Sequence, residues 1–117
     1  MDNKEFAEKL EKRTREFAVR IIRLSSKLPN SPEGSVVRRQ ITASGTSIGA
    51  NYREANRARS KADFKSKIRI CASEASETEY WLEVIGESKM LPWKQINEYH
   101  KECGELLAMF TSIAAKL

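Results

Sequence analysis

The chain has one histidine, His100, and its neighbours decide whether it belongs to a carboxylate-bridged di-metal pattern of the kind helical bundles carry. That pattern needs Glu-x-x-His twice. Here Glu98 lies two residues before His100 and Asn97 takes the required place, so the pattern is absent and no metal site is expected. No glycine-rich phosphate loop follows a strand, and no Ser or Cys stands beside a base in the sequence, which removes phosphate-loop and nucleophile chemistry. Glu74 and Glu77 have the spacing of an acid/base pair on one helical turn, yet carboxylates so placed are ordinarily structural. The expectation is a non-enzyme with no catalytic residue and no cofactor.

Two groupings remain. Residues 44–55, SGTSIGANYREA, set Gly45 and Gly49 one helical turn apart, with Ala43, Ser44, Ser47 and Ala50 around them. A glycine inside a helix costs roughly 1 kcal/mol relative to alanine. Close helix packing, or a ligand against bare backbone, would offset that loss. If the second and third helices form a hairpin turning near residue 60, Gly45 and Gly49 fall level with Ala75 and Cys71, so that small side chains face each other. The segment is too polar for the membrane form of this motif. The second grouping is charge. Residues 53–69 carry Arg53, Arg57, Arg59, Lys61, Lys65, Lys67 and Arg69 against Glu54 and Asp63, whereas residues 70–87 carry Glu74, Glu77, Glu79, Glu83 and Glu87 with no Lys or Arg. Each end can be a merely solvated face, since exposed pairs contribute little. Alternatively the basic stretch holds the phosphates of RNA or DNA, or meets the acidic stretch of the next copy in a head-to-tail ring.

The elements that must position these residues follow from composition and periodicity. A chain of 117 residues is one domain, 1–117, and 40% apolar content disfavours disorder. High charge with only 5 Gly and 3 Pro points to an all-α protein. The net charge of +5 suits an anionic partner and equally serves solubility. Phe6, Leu10, Phe17, Ile21, Leu24 and Leu28 line one face of a first helix over about 3–28, with Arg13 and Thr14 in the skipped turn. Ser31 and Pro32 start a second helix carrying Val37, Ile41, Ser44, Ile48, Tyr52 and Ala55. Ser60 and Asp63 resemble a capping box for a third, on which Phe64, Ile68, Cys71, Ala75, Thr78, Leu82 and Ile85 form a heptad seam ending near Gly86. Pro92 opens a fourth, with Ile96, Cys103, Leu106, Phe110, Ile113 and Leu117 continuing the rhythm to the last residue. Four similar helices with short connections predict an antiparallel up-down-up-down four-helix bundle.

A second stripe on the third helix, Ile70, Glu74, Glu77, Trp81 and Val84, predicts a further neighbour, a second copy of the chain. Glu74 and Glu77 then require partners, either hydroxyls in Ser44–Ser47 or an arginine from the first helix or an adjacent chain. Cys71 and Cys103 lack metal-ligand spacing and read as reduced thiols of a cytoplasmic protein. No stretch is long enough and apolar enough for a membrane span, and the amino terminus is polar.

Four separated motifs occur in order: LSSKLPNS (Leu24 to Ser31), SGTSIGANYREA, ADFKSKI (Ala62 to Ile68) and EASETEYWL (Glu74 to Leu82). Together they make the chain resemble the four-helix-bundle proteins related to those encoded in intervening sequences of bacterial large-subunit rRNA genes. The motifs cover residues 6–87, and the fourth helix matches by pattern only. The resemblance implies a homo-oligomer, a pentameric ring first of all. It also implies kinship with the accessory variability protein of diversity-generating retroelements, whose basic surface serves nucleic acid and a reverse transcriptase. The NYREA ending replaces the glycine-ended version of the ribosomal-insert members, which implies a different branch.

Overall fold

The computed structural model describes residues 1–117 as four helices: α1 (Asn3–Ser25), α2 (Pro32–Ala55), α3 (Lys61–Glu87) and α4 (Trp93–Ala115). Three of the four starts are set by side-chain caps. Asp2 accepts the Glu5 N–H at 2.8 Å, Ser31 accepts that of Gly34 at 3.0 Å with Pro32 in the first turn, and Ser60 accepts that of Asp63 at 3.0 Å. The returning arm of the Ser60 box is displaced by one residue, because the Asp63 carboxylate accepts the Arg59 N–H at 3.4 Å. Pro92 precedes α4 without a side-chain cap.

The end of α1 departs from the sequence reading, whereas α3 ends within one residue of the expected Gly86. α1 stops at Ser25 rather than at 28, yet Leu28 stays buried because the Lys27 and Leu28 N–H groups bond to the Leu24 and Ser25 carbonyls in a continuing turn. Arg38 of α2 fixes that turn by donating to the Ser25 and Leu28 carbonyls at 3.2 and 2.8 Å, a cationic cap on a helix C-terminus. α3 runs through Gly86 and is stopped by Lys89, whose φ of 63° is left-handed. Met90 N–H bonds to Ile85 O at 3.1 Å and Lys89 N–H to Gly86 O at 3.2 Å, the paired bonds of a Schellman ending with lysine where glycine is usual. Gly86 instead makes room for Trp93, whose ring would lie 2.7 Å from a Cβ at that position.

The predicted stripes form the core. Phe17, Ile21, Leu24, Ile41, Ile48, Ile68, Leu82, Leu106 and Phe110 are all buried, and so is Thr14 of the skipped turn, its hydroxyl donating to the Leu10 carbonyl at 2.9 Å. Phe6 and Leu117 are not core residues. Glu11 already stands beside Arg53 and Asn56 at the end of α2, so Phe6 lies about 7 Å further along the axis, past its neighbour's last turn. Leu117 follows the last turn of α4 and is likewise exposed. Successive helices pack against each other as antiparallel neighbours, and the α1–α4 seam is the loosest. Long side chains bridge that seam: Arg13 donates to Glu102 at 2.6 Å and to Glu105 at 2.8 Å, and Arg20 lies 4.9 Å over the Tyr99 ring. Hydrogen bonding to Glu102 outweighs burial and pushes the Arg13 pKa up.

Candidate nucleic-acid interface

The hairpin of α2 and α3 turns at residues 56–60, so the basic stretch sits at one end of the bundle. Arg59, Lys61 and Lys65 line an open depression of about 750 Å³ there, together with Phe64 and with Lys116 and Leu117 from the end of α4. None of these four cations is in an ion pair. The first turn of α3 opens into the same depression, where the Lys61 and Ala62 N–H groups precede the first intrahelical bond, but the C-terminal turns of α2 and α4 also end there, so the side-chain cations rather than a helix dipole set its charge. A shallower groove shares Ala62 and Lys65 with it and continues along α3 past Arg69 to Ser73. Lys61, Lys65 and Arg69 follow one another at four-residue spacing, so the cations form a track on one helical face.

The remaining basic candidates are dispersed. Arg53 turns toward α1 and pairs with Glu11 at 3.6 Å. Arg57 is exposed in the turn. Lys67 precedes Glu74 and Trp81 by seven and fourteen positions and thus shares their flank of α3, away from the track. Lys116 was missed because it is 47 residues or more from the basic stretch in sequence, and only the return of α4 brings it there.

Gly45 and Gly49 permit a close approach, but to α1 rather than α3. A Cβ at Gly45 would lie 2.7 Å from Ile21 Cγ2, and one at Gly49 would lie 2.9 Å from Thr14 Oγ1 and 3.2 Å from the Thr14 backbone carbon. Toward α3 the same helix presents Ser44, which accepts from the Thr78 hydroxyl at 2.9 Å, and the Ile48 carbonyl, which accepts from the Cys71 thiol at 3.5 Å. The expectation that Glu74 and Glu77 meet Ser44–Ser47 hydroxyls or an α1 arginine is not met within the chain. Ser44 is taken by Thr78, Ser47 donates to the Ala43 carbonyl at 2.6 Å, and Arg13 serves α4. Glu77 accepts only a long bond of 3.4 Å from Trp81 Nε1, and the Glu74 carboxylate has no partner. Desolvation, reinforced by Glu77, pushes the Glu74 pKa up. Trp81 is half-buried beside this pair and Ile70 is exposed.

The geometry defines an all-helical bundle with a basic end and an unsatisfied acidic flank. The chain matches the family described as 23S rRNA-intervening sequence protein over residues 8–112, and it belongs to that family. It is also similar to a crystal structure of a protein of unknown function from the S23 ribosomal protein family of Bacteroides thetaiotaomicron, with 39% identity and a TM-score of 0.85 over 93% of this chain and 97% of the other. No curated protein matches it. Neither description names an enzymatic activity. No helix is long and apolar enough to cross a membrane.

Proposed function

We propose that this protein is a non-enzymatic, self-associating bundle that binds RNA or DNA through phosphates at the α2–α3 end, as an accessory to a ribonucleoprotein. The observation that carries the proposal is the depression where Arg59, Lys61, Lys65 and Lys116, all free of ion pairs, surround the first turn of α3. Cations and helix N-termini hold phosphate without reading base edges, so sequence preference is weak. A ring of copies, a pentamer by the family resemblance, would repeat the track and raise affinity by avidity. A protein partner such as a reverse transcriptase fits that accessory role, and buried reduced Cys71 and Cys103 fit a cytoplasmic setting.

One observation favours a second reading as a protein-interaction scaffold: the acidic residues 70–87 complement the basic stretch of an adjacent copy. The test is a filter-binding comparison of the native protein with a variant carrying Arg59→Ala, Lys61→Ala, Lys65→Ala and Lys116→Ala. The nucleic-acid reading requires weaker binding to mixed RNA and DNA with unchanged helicity and assembly. Loss of assembly with no native nucleic-acid binding supports the scaffold.

A further inference from the structure

Glu79 and Glu83 stand one turn apart on α3, and His100 reaches them from α4. His100 Nε2 lies 2.9 Å from Glu83 Oε2, and one ligand atom from each of the three residues lies within 4.8 Å of the other two. Metal–ligand bonds of about 2.1 Å in a tetrahedral site place the donors about 3.4 Å apart, so a short contraction of the glutamate side chains closes the set. The scaffold around it is ordered. The His100 ring packs on Trp93 with centroids 5.3 Å apart. One turn on, Glu79 reaches across to α4 beside Gly104, its Oε2 lying 3.4 Å from where a Cβ of that residue would stand, an ordinary contact. No Lys or Arg pairs with Glu79 or Glu83. Their charge is instead felt by the neighbouring Cys103, whose thiol is pushed up to about 12, chiefly by burial and then by Glu79, Glu102 and Glu83.

We propose that Glu79, Glu83 and His100 form a divalent transition-metal site, with zinc the fitting ion and water in the fourth position. One imidazole with two carboxylates suits zinc, whereas calcium and magnesium prefer oxygen donors alone. Binding replaces the Glu83–His100 hydrogen bond, requires neutral imidazole with any proton released to solvent, and clamps α3 to α4. Glu79 distinguishes this site from a plain cross-helix ion pair. Its carboxylate makes no hydrogen bond or ion pair of its own, so it is free to turn onto an ion beside the Glu83–His100 pair.

The test is zinc titration of chelator-treated protein by calorimetry, with thermal unfolding in parallel. One equivalent per chain is expected, with a Tm that rises with zinc and not with magnesium. Glu79→Gln should weaken zinc binding about tenfold or more, a scale that even outer-shell substitutions reach, while leaving the metal-free Tm unchanged. His100→Ala should abolish binding, and Cys103→Ser should retain it. Equal zinc affinity in the native and Glu79→Gln proteins, or no Tm shift at about millimolar zinc, well above the dissociation constant of such a site, would overturn the assignment.

Discussion

Glu74 is the residue on which charge and packing conflict most directly. Its carboxylate is partly desolvated beside Glu77 with no cation in reach, and its pKa is raised above the ordinary 4.5. The folded single chain therefore binds the Glu74 proton more tightly than the unfolded one. This contribution to stability is complete below 4.5 and is lost as pH rises through the folded value. In dilute, dissociated protein, Glu74→Gln should therefore raise Tm at pH near 7 and change little at pH near 4, a comparison that thermal unfolding in two buffers makes. A lower Tm of the variant at neutral pH would contradict the desolvation of Glu74. The two cysteines give a second check at this scale. Burial pushes both thiols up to about 12, so neither should react with a thiol reagent at neutral pH until the protein unfolds. The need for a partner at Glu74 was legible in the sequence, because a carboxylate on an apolar stripe announces it. The absence of that partner was not, since spacing along one helix says nothing of what the adjacent helix has already engaged.

At the scale of helices, periodicity located the faces but not the neighbours they meet. Gly45 and Gly49 were readable as a close approach, yet the heptad seam of α3 made that helix the obvious recipient. The glycines lie on the adjacent flank of α2 and receive Ile21 and Thr14 of α1. The skipped turn of α1 holds the reason: Thr14, small and bonded to its own helix, fits against Gly49 where a large residue would not. Gly49→Ala should therefore destabilise the protein by about 1–3 kcal/mol through overpacking, despite alanine's advantage of roughly 1 kcal/mol as a helix former. Gly45→Leu should do the same against Ile21, and chemical denaturation of either variant reads the sign. In the opposite direction, Lys89→Gly should stabilise by about 1 kcal/mol, because it relieves a left-handed residue at a Schellman ending. Leu82→Ala, fully buried on the heptad seam, should cost roughly 2–5 kcal/mol.

For the whole molecule, charge is sorted by position: the α2–α3 end is basic, and the second half of α3 is acidic. The bundle, its helix order and its core were legible because four apolar stripes and their caps agree with one another. The composition of the basic end was only partly legible. The basic stretch read from residues 53–69 contained Arg59, Lys61, Lys65 and Arg69, whereas Arg53 was lost to Glu11 and Lys116 arrived from the far end of the chain. An assembly through the Ile70–Trp81 flank would supply Glu74 with a cation. Glu74→Gln should then weaken self-association even as it stabilises the single chain, which sedimentation of both proteins would reveal. The proposed function assigns the binding of phosphate backbones to the basic end. The direct measurement is the affinity for a mixed-sequence RNA duplex and for the matching DNA, titrated from about 50 to 200 mM salt, the range over which phosphate contacts dominate the change. Phosphate binding at this end predicts a linear log–log plot whose slope is about 0.9 per phosphate contacted, nearly the same for different sequences, and reduced when Lys61 and Lys65 become alanine. No salt-sensitive binding of the native protein to either nucleic acid at the lowest salt would contradict it.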